Sequence, residues 1–580
     1  MTYDENRLFL IMLGFGLFMG LVTLLYVIKQ AFGRDGGEVG GWEIRGAPGR
    51  IFAIARTTLA EGLRAKVGAG FAAIIFIAIP IFYFTAEGDG TIKGRVQMFL
   101  SYSMGFSGFV IGVLTIMFSC RSLSVEIASK QIFGIASKPV PRWQIVAGKW
   151  VGVMSLNVAL LTVSTIAAYA GTQGVIKRFK NQLTGELESY GGLTPVQAAT
   201  TVAALEDVHG IGRQGVQSPI VDAFAKSLGR TPDQVADLLL RLPEGTRMNL
   251  RRFDELRRHV IACRAALKAE LPDFAPEIRA QVDKLKKSGE IPEGWTESKL
   301  LQNFKAAVIG QFCTIPPGPQ NARQWKFKGP RPIKGKNVIM SIRFKLDAPG
   351  YVPPQEVRGE QLPENTLLCF WGFGDSAKAD YAETGEPYPV NSFFELEMPS
   401  ECVEDDGTIV ISFANMDPRR QSVSMDLANK GLEVLYHTGT FEEGVVQAAL
   451  AILIPVACLA SFGVCASTFL SFPVGTLIVM TLFIVASSMG FVADALAATK
   501  DYAGANMTLE WEIRRFTVDA IGWVLAIGDL DSVSELIEGR AVGWAALWSN
   551  TWKFVLLKGT AVFVLAVLVL RRRELATVIV

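Results

Sequence analysis

The sequence predicts an α-helical polytopic membrane protein with about seven transmembrane helices and a large extracytoplasmic α+β insert ending in a β-sandwich-like domain. Three observations carry this. Half of the residues are hydrophobic and only 19% are charged, below the roughly 25% usual in soluble domains. Apolar runs of a length that crosses, or nearly crosses, a bilayer occupy residues 8–28, 70–85, 98–120, 150–170, 445–470, 474–496 and 554–570. Between the fourth and fifth of them, residues 173–443 stay polar. Charge flanks then orient the chain. The first run follows Asp4 and Glu5 and precedes Lys29 and Arg34, so it starts outside, and Arg571, Arg572 and Arg573 hold the C-terminus inside.

Residues 1–49 read as an extra N-terminal span with a cytoplasmic linker. A cleaved signal peptide would carry its positive charge before a shorter apolar core. Residues 50–172 hold a surface helix and three spans. Apolar and basic side chains alternate over 50–66, as on a helix lying in the interface, and 70–85 pairs with 98–120 around the loop 86–97. The polar segment 121–152 then separates two spans. Within it Val125, Ile127, Ile132, Ile135 and Ala136 flank Glu126, Lys130 and Gln131, a spacing that predicts a short amphipathic helix over 125–136. Lys138-Pro139-Val140-Pro141-Arg142 ends it, because proline lacks the N–H a helix interior requires.

The insert divides by pattern. Residues 173–316 read as helical: Thr194-Pro195-Val196-Gln197 and Thr231-Pro232-Asp233-Gln234 are N-terminal caps, and helical spacing continues over 249–269 and 277–287. Residues 317–443 read as short strands, with Met340, Ile342 and Phe344 alternating against Ser341, Arg343 and Lys345, and Phe394, Leu396 and Met398 against Glu395 and Glu397. Residues 444–580 hold three more spans. A tight turn at Ser471-Phe472-Pro473 joins the first two, and 501–550 reads as external re-entrant or interfacial helices, one capped by Ser532 with Glu535.

The order Glu126, Lys138-Pro139, Arg142, Gly148-Lys149 and Gly152 resembles the coupling segment of type-2 ATP-binding-cassette (ABC-2) exporter permeases. Arg56, Glu61, Arg64 and Lys66 resemble, independently, the elbow helix of the same family, and Gly539-Arg540-Ala541-Val542-Gly543-Trp544 with Arg571 to Leu575 resembles its ending. The resemblance covers residues 50–172 and about 441–575. It implies one extra span plus a six-span ABC type-2 core, acting as the permease of an exporter in the bacterial cytoplasmic (inner) membrane. On that resemblance ATP and Mg are bound by a separate ABC ATPase subunit, and a second permease subunit completes a homo- or heterodimer. Membrane lipid and an extracytoplasmic partner are the remaining partners. Glu126, Lys130, Lys138, Pro139, Arg142 and Lys149 become the residues that couple to the ATPase, and Arg56, Glu61 and Arg64 those of the elbow.

Other chemistries find little purchase. The chain carries no Gly-x-x-x-x-Gly-Lys-Ser/Thr phosphate loop; residues 329–337 come nearest, with the wrong spacing and Asn337 at the end. It is therefore expected to be no enzyme and to bind no cofactor itself. A net charge of +2 gives no global field for nucleic acid. No Cys-x-x-Cys spacing suggests zinc, and disulfides among Cys263, Cys313, Cys369 and Cys402 stay open. Gly105-Phe106-Ser107-Gly108 has a protease-like form, but the only histidines, His209, His259 and His437, all fall outside the spans, so small-residue packing is the better account. Lys558 sits inside the last apolar run, where snorkelling competes with a functional role. Trp325, Trp371 and Phe373 suit a binding face or a core. The rival to transport is a non-transporting membrane anchor that presents the insert.

Overall fold

The computed structural model describes residues 47–572, apart from 65–66, 87–90, 133–139, 189–194, 200–241, 289–296, 330–339, 349–355, 358–359, 362–364, 376–381, 399–401, 418–421, 428–430, 504–531 and the single positions 197, 271, 273 and 426. The extra span at 8–28, the capped segment at 231–234, Lys66, Lys138 and Pro139 therefore lie outside the described residues. Along the chain run α1 (Ala47–Arg64), α2 (Val67–Thr85), α3 (Ile92–Ala128), α4 (Arg142–Glu188) and α5 (Glu244–His259). Next come β1 (Cys263–Lys268), α6 (Ala275–Ser288), α7 (Glu297–Cys313), β2 (Thr314–Ile315), β3 (Arg323–Lys328), β4 (Met340–Lys345), β5 (Glu356–Val357) and β6 (Glu360–Gln361). The strands continue with β7 (Thr366–Phe373), β8 (Ala382–Pro389), β9 (Phe393–Met398), β10 (Thr408–Asn415), β11 (Val423–Ser424) and β12 (Leu432–Gly439). Helices α8 (Phe441–Phe469), α9 (Phe472–Ala503), α10 (Ser532–Ile537) and α11 (Trp544–Arg572) close the chain. Two compact units result: Met1–Ala199 with Arg241–Ile261 and Thr440–Val580, and Thr200–Leu240 with Ala262–Gly439.

In the first unit α3, α4, α8 and α11 are long and apolar enough to cross a membrane, and Gly70–Thr85 and Phe472–Ser488 are shorter apolar helices beside them. Lipid offers no hydrophobic drive for helix association, so close backbone approach between small residues carries it. The packing shows this directly. A Cβ added to Gly463 of α8 would lie 1.7 Å from Ser119 Oγ of α3, and one added to Gly171 of α4 would lie 2.5 Å from the Phe99 ring. Around these contacts Val96, Phe99, Leu100, Ile111 and Leu114 of α3 are fully buried.

The helices overrun the expected spans. Instead of ending near Cys120, α3 continues to Ala128 and absorbs the first turn of the amphipathic helix expected over 125–136. Its polar residues are satisfied within the helix: Ser122 and Ser124 hydroxyls donate to the Ser119 and Cys120 carbonyls at 2.8 and 2.6 Å. The helix stops where Lys130 turns left-handed at φ 60° and its N–H reaches the Ile127 carbonyl. Helix α4 likewise runs unbroken from Arg142, well before the expected start at 150, to Glu188. The last span begins earlier than 554, with a π-helical stretch, Thr551–Gly559, inside α11.

The second unit holds two four-stranded antiparallel sheets, β1-β12-β4-β9 and β3-β10-β7-β8. They share one core. Met340, Ile342 and Phe344 face Trp325, Trp371, Ile411 and Phe413, with the Phe344 and Trp371 rings 4.5 Å apart. Trp325, Trp371 and Phe373 thus belong to the core rather than to a binding face. The helix expected over 249–269 ends at His259, and Cys263–Lys268 pairs with β12 as a strand. Helical and strand segments consequently interleave instead of meeting at residue 316. All seven cysteines are free.

Gly463→Ala is expected to destabilise the helical unit by about 1–3 kcal/mol through overpacking, with Ser119→Gly restoring most of the loss. Thermal unfolding of the detergent-solubilised chain checks both.

Candidate functional site

Three elements meet where the polar segment 121–152 leaves and re-enters the bundle: α1, the C-terminal end of α3 and the N-terminal end of α4. Glycines bring them together. Gly148 and Gly152 lie one turn apart on α4, and a Cβ on them would stand 2.6 Å from Ile54 Cβ and 2.7 Å from Thr58 Cβ of α1. Missing side chains there let the α1 backbone seat directly on α4. Gly62 of α1 takes the Phe118 ring of α3 in the same way, at 2.6 Å.

Between the two glycines stands Lys149, whose side chain is 0% exposed. Its ammonium donates to Glu126 Oε1 of α3, and Glu61 Oε2 of α1 lies 3.8 Å away. Glu126 is buried, whereas half of Glu61 reaches solvent. A buried ammonium is tolerated only when it is paired and hydrogen-bonded, and losing one partner leaves a charge stranded. Lys149 therefore holds the end of one span, the start of the next and the surface helix in one arrangement.

A second tie runs to the last helix. Arg142 Nη1, in the first turn of α4, donates to the Leu570 carbonyl at 3.1 Å. That carbonyl belongs to the last turn of α11, where intrahelical donors run out and the macrodipole favours a cation. Ile132, Ile145, Val146, Val567 and Leu570 form the apolar cluster beside it. Higher up, the Trp150 indole donates to the Ala457 carbonyl of α8 at 3.2 Å.

The structure thus brings Glu61, Glu126 and Lys149 to one point and sends Arg142 to α11. Lys130 is exposed at the turn, and Arg56 and Arg64 are exposed on α1 away from the ammonium. Glu126, which falls among the apolar residues of the amphipathic stretch, is buried in α3. The sequence reading missed Ile54, Thr58 and Trp150. The one signal that pointed to the first two was the small-xxx-small spacing of Gly148 and Gly152, which marks close helix approach but not its partner.

Nothing at this joint resembles catalytic machinery. Among the described residues no three metal-ligating side chains gather, and Ser107 is buried within α3. Lys558 Nζ lies 5.2 Å from the centre of the Phe554 ring, one turn back toward the N-terminus of α11, the direction a snorkelling lysine takes. The joint ties α1, α3 and α4 together through Lys149, and Arg142 ties α4 to α11.

Residues 49–204, which include the whole joint except its tie to α11, match the family model described as ABC-2 family transporter protein. No curated protein and no solved structure matches the chain.

Lys149→Met is expected to cost about 3–5 kcal/mol because Glu126 is left buried and unpaired, and adding Glu126→Gln should recover most of it. Glu61→Gln, at a half-exposed position, should cost under about 1 kcal/mol. The midpoint of thermal unfolding in detergent distinguishes the three.

Proposed function

We propose, from the match of residues 49–204 to the ABC-2 family transporter model, that this protein is the permease of an ATP-binding-cassette exporter driven by a separate ATPase subunit. The observation that carries the reading is the joint: the polar segment between α3 and α4 is anchored at both ends, by the buried Lys149–Glu126 pair and by Arg142 on Leu570. A segment that only capped two spans would not require a buried charge, which is costly in any interior. One that must pass movement to several helices gains from a stiff connection to each.

In this reading the ATPase grips the segment between α3 and α4, through Lys130, Lys138, Pro139 and Arg142. Glu126 and Lys149 act one layer deeper as positioning residues that keep the gripped segment rigid relative to the spans. The elbow residues Arg56, Glu61 and Arg64 lie on the same membrane face, and a second permease copy or a related chain completes the pathway. The N-terminus lies outside, the C-terminus inside, and the second unit is extracytoplasmic in a bacterial cytoplasmic membrane. ATP and Mg belong to the partner.

A second reading keeps the spans as an anchor or force relay for the insert. The observation favouring it is that Ala262–Gly439 forms most of a unit with its own two-sheet core.

Co-purification with the native ATPase tests the proposal. Lys130→Glu with Lys138→Glu is expected to abolish association and the stimulation of ATP hydrolysis while leaving the thermal midpoint unchanged. Lys130→Gly separates charge from turn geometry, since it removes the charge and also relieves about 1 kcal/mol of left-handed strain. Unchanged ATPase binding and stimulation in the double variant would leave the anchor reading in place. Glu126→Arg is unsuitable, because it would break the buried pair rather than the contact.

A further inference from the structure

Cations also gather at the opposite end of the helical unit. Tyr83 and Phe84 occupy the last turn of α2, where an apolar helix gives way and aromatic side chains ordinarily mark the membrane boundary. The Arg178 guanidinium of α4 lies over the Tyr83 ring, 5.0 Å from its centre, with Lys177 and Lys180 beside it in sequence. Helix α5 packs along this stretch: Phe253 meets Phe179 at 6.1 Å between ring centres, and Thr246 Oγ1 donates to Glu186 at 3.1 Å. Helix α5 carries Arg247 and Arg252, and Arg95 lies in the first turn of α3.

The neighbouring arginines are neutralised locally. Asp254 pairs with Arg258 at 2.5 Å and Arg257 at 3.3 Å, and Glu255 lies 3.6 Å from Arg251. Among the described residues no acid pairs with Lys177, Arg178, Lys180, Arg247, Arg252 or Arg95. The Nε groups of Arg95 and Arg247 are moreover buried and donate to no acceptor among those residues. A buried donor without an acceptor costs free energy, and like charges on adjoining helices repel. An anion with several oxygen atoms would relieve both.

Position and surroundings select the kind of anion. Phe84 is 69% exposed beside the Arg178–Tyr83 pair, and on α5 Met248 is 46% exposed next in line to Arg251 and Arg252. Apolar side chains beside cations at a membrane boundary suit an amphiphile, with acyl chains against the first and a headgroup on the second. A free anion would use only the charges. Nor does topogenesis account for cations here, since the positive-inside rule concentrates them at one end of a bundle and this chain also carries Arg571 and Arg572 at the other.

We propose that α5, the outer turns of α4 and the start of α3 form a shelf that binds the phosphate groups of anionic phospholipids in the adjoining leaflet. The shelf holds α5 against the bundle on the surface of that leaflet, at the point where the chain passes into the second unit.

Native mass spectrometry of the delipidated full chain, with phosphatidylglycerol or phosphatidylcholine added, tests this. Phosphatidylglycerol should be retained in preference to phosphatidylcholine and released by salt. At about five-fold per neutralised cation, Lys177→Gln with Arg178→Gln and Lys180→Gln should weaken retention on the order of a hundred-fold, and Arg247→Gln with Arg252→Gln roughly twenty-five-fold. The charge-keeping pair Arg247→Lys with Arg252→Lys should retain the lipid, and Arg252→Gln alone serves if the larger sets fail to fold. Equal retention of the two lipids, or wild-type retention in the neutralised variants, would overturn the proposal. So would complete displacement of phosphatidylglycerol by millimolar inorganic phosphate, which would identify a free-anion site instead.

Discussion

The structure of the helical unit depends on one buried ammonium. Lys149 has no access to solvent, and its charge is sustained by Glu126 on a second helix with Glu61 on a third nearby. Each of the three elements could pack apolar surface in several rotations; only one rotation puts all three charges at a single point. The pair is not there for net stability, since apolar residues of similar volume would often serve as well. What it supplies is a unique arrangement, because every alternative leaves an unpaired charge away from water.

Glycine makes that arrangement reachable. Lysine and glutamate on neighbouring helices meet only if the backbones come close, and Gly148, Gly152 and Gly62 remove the side chains that would hold α1 off α4 and α3. The same device recurs at Gly463 against Ser119 and at Gly171 against Phe99. Small residues set the distances, and the charges then choose the rotation. The joint is in this sense a product of packing first and electrostatics second.

The start of α4 is held at two points. One is the Lys149 cluster; the other is the last turn of α11, reached by Arg142. The two-sheet unit is organised differently, around aromatic rings shared by both sheets with ion pairs such as Arg264–Glu395 on its strands.

Much of this was legible in the chain itself. Apolar runs announced the membrane helices, alternation announced the strands, and the order Glu126, Gly148-Lys149 marked the place where α1, α3 and α4 meet, because periodicity and charge flanks are local properties. Other features were not. The sequence reading ended a span near Cys120 because polarity rises there, yet Ser122 and Ser124 bond within the helix and Glu126 finds a cation 23 positions later, so the helix continues. It drew a helix through Cys263–Lys268, where pairing with Leu432–Gly439 decides for a strand. Nothing local in the chain indicates that Arg142 meets Leu570. Residue spacing fixes what a segment can bury and where its charges lie along the chain. Which charge meets which is a matter of long-range contact, and only the tertiary structure decided it.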